Sequence, residues 1–296
     1  MSKIICLVGP TATGKTKTSI ALAKYYDAEI INADSTAIYK EPLIATAKIK
    51  EDEMENIKHH MLDLVSLNDD YTLYDYQKDG RKVLDELISK GKNIIITGGS
   101  GLYIKALLYN YNLNETKKIN LNLNSLTNDE LKHKADEIDP NNNIHINNRQ
   151  RLERFINKYY ENDKSIIINN SGNEKKYDFI LIGLRSDREK LYSMINDRVE
   201  DMFNEGLLLE AHNLYNLNLK NYSNIIGYKE LNMYFNNEIS LEEAKELIKR
   251  NTRRYAKRQF TWFNNQMKDI VWFDVNYKNI NETINNIINY INKIEE

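Results

Sequence analysis

Three short runs in this chain combine residue types and spacings that could do chemistry. The first is Gly9-Pro10-Thr11-Ala12-Thr13-Gly14-Lys15-Thr16, which fits G-x-x-x-x-G-K-[ST] and stands between an apolar run and a helical pattern, where that motif must stand. Its glycines let backbone N–H groups curl around phosphate oxygens, and the helix N-terminus adds partial positive charge. Lys15 supplies a full charge, and the Thr16 hydroxyl can hold Mg²⁺. The loop does not say whether its diphosphate belongs to a nucleotide or to another substrate. The second run, Asp34-Ser35, follows an apolar run directly. A carboxylate at that edge of an open α/β sheet faces the phosphate loop, where it suits a metal, a substrate hydroxyl or general-base work. An isolated Asp there also suits a turn or a helix N-cap. The third run, Gly98-Gly99-Ser100-Gly101-Leu102-Tyr103, opens a helix after another apolar run. It reads as a second anion seat, or as a tight turn needing positive φ with Ser100 as N-cap.

Two helical stretches interleave positive charge with aromatic or apolar residues, a pattern that suits RNA. Arg149, Arg151, Arg154 and Lys158 form one; Lys249, Arg250, Arg253, Arg254, Lys257 and Arg258 form the other, followed by Phe260, Trp262 and Phe263. Steps of four put Arg250, Arg254 and Arg258 along one helix face, where phosphates would relieve their repulsion. A solvated charged face is the alternative. His59 and His60 have no ligand candidate at a metal-site spacing and read as structural.

These runs need elements to hold them. Ile4 to Val8, Ala28 to Asn32 and Asn93 to Thr97 read as buried strands, with helices from Lys15 and over Tyr74 to Lys90. A parallel α/β sheet flanked by helices follows. Tyr177 to Gly183 looks like a further strand; helices are expected over Arg188 to Asn216, Tyr228 to Asn236, Leu241 to Asn265 and Ile280 to Ile294, with a late strand at Val271 to Asp274. Between Tyr109 and Asn148 the pattern weakens into Asn-rich sequence with one short helix, Asn128 to Ile138, stopped by Pro140. Residues 111–144 are therefore expected to be a small, mainly helical insertion into a core of residues 1–110 and 145–296.

With 41% hydrophobic and 28% charged residues, the chain falls in the globular range. A net charge of −2 excludes coating nucleic acid through bulk positive charge, so any such contact must be local. Cys6 is the sole cysteine, which excludes a disulfide framework and a cysteine-ligated metal. No run approaches the ~20 apolar residues of a membrane helix, and a cytoplasmic monomer is expected.

Taken together, these residues resemble the tRNA dimethylallyltransferases, also called tRNA isopentenyltransferases, of bacterial type and P-loop NTPase-like fold. The resemblance rests on GPTATGKT at 9–16, NADSTAIY at 32–39, TAK at 46–48, HHMLD at 59–63, GGSGLY at 98–103, IHINNRQRLER at 144–154, INDRVEDMF at 195–203, IIGYKEL at 225–231 and TRRYAKRQFTWF at 252–263. It implies transfer of a dimethylallyl group from its diphosphate to the N6 amine of the adenosine 3′ to the anticodon, with Mg²⁺. Asp34 would take the amine proton, since a lone pair delocalised into the ring makes the amine a poor nucleophile. Gly9, Thr11, Ala12, Thr13, Gly14, Lys15 and Thr16 would hold the diphosphate, and Lys15 and Arg198 would stabilise its leaving charge. Asp34, Ser35, Thr36, Ala37 and Ser100 would line the pocket of the flipped base. Further contacts to the tRNA anticodon stem-loop would come from Gln150, Arg151, Leu152, Glu153, Arg154, Asn224, Gly227, Lys229, Lys257, Arg258, Gln259 and Trp262. The chain departs from the family where Ala37 replaces a Gln, where Leu43-Ile44-Ala45 replaces Asp-Ile-Gly, and in its shorter insertion. From the residues alone, a small-molecule kinase would explain the first hundred positions but not the basic C-terminal helix. A non-catalytic RNA-binding module would leave Gly14-Lys15-Thr16 idle.

Overall fold

The computed structural model describes residues 2–111, 113, 121–161 and 171–294. In chain order they form β1 (Ile4–Val8), α1 (Lys15–Tyr26), β2 (Ala28–Asn32), β3 (His59–His60), α2 (Leu73–Ser89), β4 (Asn93–Gly98), α3 (Gly101–Leu108), β5 (Tyr109–Tyr111), α4 (Asn128–Ile138), α5 (Arg149–Glu161), β6 (Ser171–Lys175), β7 (Ile180–Arg185), α6 (Arg188–Asn204), α7 (Leu207–Tyr215), α8 (Tyr228–Phe235), α9 (Leu241–Gln266), β8 (Val271–Asp274) and α10 (Ile280–Lys293). The main sheet has six strands in the order β3-β2-β4-β1-β7-β8. Every pairing in it is parallel.

Its strands are apolar because both faces are covered. Ile4, Cys6, Val8, Ile94 and Ile96 bury against α2 and α3, where Tyr76 stacks on Tyr103 at 3.9 Å between ring centroids. Their neighbours Ile5, Leu7 and Ile95 point the other way, toward Leu22 of α1 and Ile287 of α10. A third core joins α6 to α9, with Val199, Leu207, Tyr228, Leu231 and Ile248 at its centre. Strand order puts β1 between β4 and β7, so the chain leaves β1 toward one side of the sheet and later returns on the other. Such a reversal opens a crevice at the carboxyl ends of the strands.

The expected strands at β1, β2 and β8 and the helix α4 lie where the sequence put them. Two expectations are corrected. The helix read over Arg188 to Asn216 is two, because Gly206 turns the chain at φ 105°. The strand expected at Tyr177 to Gly183 runs Ile180–Arg185. His59 and His60 form the edge strand β3, with His60 Nε2 2.6 Å from Glu29 Oε2.

The chain divides into two compact units, Met1–Tyr109 with Lys175–Glu296, and Asn110–Glu174. The second therefore reaches beyond the expected 111–144 and claims α5. Its reason is packing: Leu131 and Ala135 of α4 bury against Leu152 and Ile156 of α5, so the two helices share one core. A capping box at Thr127 starts α4, with Thr127 Oγ1 accepting from the Glu130 N–H and Glu130 accepting from the Thr127 N–H. Residues 112 and 114–120 of the Asn-rich reading lie outside the described residues.

Candidate active site

Loops at the carboxyl ends of β1 and β2, with Thr97 and Gly98 at the end of β4, line a cavity of about 160 Å³, and a third loop follows β4 directly. Lys15, Thr16, Asp34, Thr97 and Arg198 are among its lining residues.

The first loop is the phosphate loop. Gly14 takes φ 76° just before α1 begins, a left-handed turn that an L side chain would strain. Inside the loop, Thr13 Oγ1 donates to the Pro10 carbonyl at 2.8 Å, so this hydroxyl is committed to loop shape. Lys15 Nζ also donates to the Pro10 carbonyl, at 2.7 Å. Desolvation pushes its pKa down to about 8, against the charge of Asp34, which pulls it up, while the guanidinium of Arg198 adds to the fall. Arg198, on α6, lies with Nη1 3.4 Å from Thr11 Oγ1, and burial lowers its pKa against the pull of Asp34. Thr16 is open to solvent at the cavity lining.

The second loop carries Asp34. The buried Asn32 shapes the turn: its Oδ1 accepts from the Asp34 N–H at 3.2 Å while its Nδ2 donates to the Met61 carbonyl at 3.0 Å. Oδ1 of Asp34 accepts from the Thr36 N–H at 3.1 Å and from the Thr36 hydroxyl at 2.8 Å. Oδ2 has no such partner among the described residues. Ala37 is buried at the cavity wall. The segment 43–48, of which Thr46, Ala47 and Lys48 line the cavity, is pinned at both ends. Glu210 of α7 accepts from the N–H groups of Leu43, Ile44 and Ala45 at 3.0, 2.8 and 3.0 Å. Lys48 donates to the Tyr39 carbonyl at 2.7 Å and pairs with Asp63.

The third loop is Gly98 to Gly101. None of its glycines needs a positive φ, which corrects the tight-turn reading. They are small for contact. A β-carbon on Gly98 would stand 2.2 Å from the Ala33 backbone, one on Gly99 2.1 Å from Gln259 Nε2, and one on Gly101 2.0 Å from the Trp262 ring. Ser100 occupies the N-cap position of α3 without capping it. Its hydroxyl accepts instead from the Ser35 N–H at 2.9 Å and donates to Ser35 Oγ at 3.0 Å, tying this loop to that of Asp34.

Helix α9 separates its residues by face. Arg250, Arg254, Lys257 and Arg258 are exposed. Among the described residues none of them has a carboxylate partner. Lys249 is different, with Glu200 at 2.7 Å and Glu246 at 2.8 Å, and Arg253 donates to Asn196 Oδ1 at 2.6 Å. On the opposite face the buried Gln259 accepts from the Thr11 N–H at 2.8 Å and donates to the Gly99 carbonyl at 3.1 Å. Gln259 and Trp262, read from the sequence as tRNA contacts, are thus packed inward. Tyr255, one turn earlier, shares this inward face and carries no signal of its own in the sequence. Its hydroxyl reaches Ser100 and Gln259, and burial and the nearby Asp34 charge raise its pKa. The spacing Tyr255, Gln259, Trp262 marks one helix face, a signal hidden among the cations between them.

The other expected tRNA contacts divide similarly. Asn224 and Lys229 are exposed, while Gly227 is buried and donates its N–H to Glu230 at 2.8 Å. Gln150, Arg151 and Arg154 lie on the exposed face of α5; Leu152 is inside the core of its unit, and Glu153 pairs with Arg149 at 2.7 Å. Among the described residues, no helix is long and apolar enough to cross a membrane.

A model of the IPP transferase family matches residues 37–266, a span that begins after the phosphate loop and Asp34. The tRNA dimethylallyltransferase of Anoxybacillus flavithermus is 42% identical over 98% of this chain and 96% of its own length, so the similarity includes those first residues. Among solved structures, the tRNA isopentenylpyrophosphate transferase of Bacillus halodurans superposes with a TM-score of 0.73 at 35% identity, over 99% of this chain and 98% of that one. A eukaryotic dimethylallyltransferase captured acting on tRNA gives a TM-score of 0.81 at 29% identity, over 93% of this chain and 74% of that one. Neither a kinase nor a non-catalytic RNA-binding module finds support in these relatives, and the chain belongs to the tRNA dimethylallyltransferase family, the IPP transferases.

Proposed function

We propose that this protein transfers the dimethylallyl group of dimethylallyl diphosphate to the N6 amine of the tRNA adenosine 3′ to the anticodon, releasing diphosphate. The observation that carries this reading is the convergence of Lys15, Arg198 and Asp34 on one cavity, two cations and one carboxylate of opposite duties. The new bond joins N6 to the allylic carbon as the bond from that carbon to the diphosphate oxygen breaks. Oδ2 of Asp34 takes the N6 proton, while Oδ1 is held by Thr36. Negative charge grows on the departing diphosphate, where loop N–H groups, Lys15 and Arg198 stabilise it, each by about 2 to 4 kcal/mol on the scale of oxyanion donors.

The residues fit a Mg²⁺ ion that draws most of its ligands from the substrate and water. Thr16 lines the cavity with Asp34, and no cluster of three or more His, Cys, Asp or Glu residues competes as an all-protein cage among those described. When bound, the ion neutralises charge on the diphosphate. The tRNA would meet the exposed cations of α9 and α5, and the cytoplasm is where this reading has the enzyme work.

Purified protein given labelled dimethylallyl diphosphate and tRNA should transfer label to the tRNA without ATP. Labelled ATP in place of the prenyl donor should mark nothing; transfer from ATP alone would overturn the reading. Asp34→Asn is nearly isosteric but far less basic, so the single-turnover rate should fall about 10²- to 10⁴-fold while tRNA affinity holds. Loss of tRNA binding with the chemical step intact would make Asp34 a positioning group instead.

A further inference from the structure

Catalysis by this site needs the prenyl donor and the adenine amine at one fixed separation, yet donor and acceptor are held by different loops. On the prenyl-transfer reading, donor contacts would come from the loop after β1, and acceptor contacts from the loops after β2 and β4. Ser100 ties the second and third loops to each other through Ser35. The first loop is linked to the third by a side chain that belongs to neither: Gln259 of α9, whose carbonyl oxygen accepts from the Thr11 N–H at 2.8 Å and whose amide donates to the Gly99 carbonyl at 3.1 Å.

The surroundings leave this amide little choice of position. It is 5% exposed, and the missing side chain at Gly99 is what makes room for its Nε2. One helical turn away, the Trp262 ring occupies the space over Gly101. The third loop is therefore a seat for α9 rather than an anion nest. The Thr11 N–H is also occupied by Gln259, so it is not one of the donors that greet the diphosphate.

We propose that Gln259 is a positioning residue for the transfer, holding the donor loop and the acceptor turn in register through one amide. This rests on the prenyl-transfer reading of the same cavity. Gln259 touches neither reacting group. Its effect is on geometry, and a misplacement of about 1 Å between reacting groups can cost on the order of 10²-fold in rate. Because the exposed cations of α9 lie on the other face, loosening the amide should leave RNA attraction unaltered.

Two variants of the full chain test this. Gln259→Leu keeps the approximate volume and removes both hydrogen bonds. At saturating donor and tRNA its single-turnover rate should fall by about 10²-fold, with tRNA affinity equal to that of the wild type. Gln259→Glu keeps the shape, and its neutral acid form can still accept from Thr11 and donate to Gly99, whereas its carboxylate can only accept. Its rate divided by that of the wild type should therefore rise as pH falls, a response that loosened packing alone would not produce.

A wild-type rate in Gln259→Leu would overturn the proposal. So would a loss of tRNA affinity equal to the loss of rate, which would make Gln259 an RNA contact. If Gln259→Leu does not fold, the pH response of Gln259→Glu decides, and a flat ratio counts against the proposal. Failure of the wild type itself to move label from dimethylallyl diphosphate to tRNA would sink the prenyl-transfer reading instead, so the two failures are distinguishable.

Discussion

Lys15 reaches the cavity carrying a charge that its surroundings oppose. With a pKa of about 8 in the fold and an ordinary value of 10.5, it binds fewer protons folded than unfolded between those limits. Its destabilising contribution is therefore fully present below pH 8 and fades as pH rises toward 10.5. Ligand binding runs the opposite way. Below pH 8 the ammonium is ready for diphosphate, and above it binding must first take up a proton, so affinity should fall by up to about tenfold per pH unit. Titrating inorganic pyrophosphate with Mg²⁺ calorimetrically from pH 7 to 10 checks this. Lys15→Ala should bind weakly, and subtracting its pH slope from that of the wild type isolates Lys15 from the titration of pyrophosphate itself. Identical slopes would exclude Lys15 as the titrating group. Thr97 presents a different cost. Its hydroxyl is buried beside the same cavity with no hydrogen-bond partner among the described residues. An unsatisfied buried hydroxyl costs about 1 to 3 kcal/mol, so Thr97→Val, which also suits a strand, should raise the melting temperature of the free protein by about 2 °C or more. A lower melting temperature would mean that the hydroxyl finds a partner in solution.

At the scale of elements, α9 is a helix of two duties. A capping box starts it, with Ser240 Oγ accepting from the Glu243 N–H at 3.2 Å and Glu243 accepting from the Ser240 N–H at 2.8 Å. Its inner face then carries Tyr255, Gln259 and Phe263 into the fold, and its outer face carries Arg250, Arg254, Lys257 and Arg258. Like charges at a spacing of four disfavour a helix by a few tenths of a kcal/mol each, which a polyanion would relieve. Arg254→Ala and Arg258→Ala should each weaken tRNA binding and reduce the slope of log affinity against log salt by about one. Lys249→Ala, whose ammonium already has Glu200 and Glu246, should leave that slope unaltered. Filter binding across a salt series separates these outcomes, and equal slopes for all three variants would reduce the outer face to a solvated surface.

At the scale of the whole molecule, each unit has its own core, which makes their stabilities separable. Leu152 is fully buried between α4 and α5. Removing its side chain should cost about 2 to 5 kcal/mol within that unit, as large-to-small core changes do. In Leu152→Ala, hydrogen exchange should rise over Asn128–Ile138 and Arg149–Glu161 and stay at wild-type protection in β1, β2 and β4, with pyrophosphate affinity unaltered. Increased exchange in those strands would show that the two units unfold as one.

The sequence alone determined what local chemistry dictates. A phosphate loop needs its glycines and lysine at fixed spacing between strand and helix, and parallel strands buried on both faces must read as apolar runs, so β1, β2, β4 and the loop itself were legible. The basic stripe of α9 was legible too, because a helix face depends only on residues three and four apart. Tertiary structure alone decided matters that depend on what lies opposite. Gln259 reads as one more polar residue in a basic stretch until Thr11 and Gly99, far off in sequence, come within hydrogen-bond distance of it. The glycines at 99 and 101 show no left-handed turn, and their reason is the Gln259 and Trp262 side chains that fill the space above them. Likewise α5 belongs with α4 because their apolar faces complete one core, a complementarity between surfaces that no single periodicity encodes.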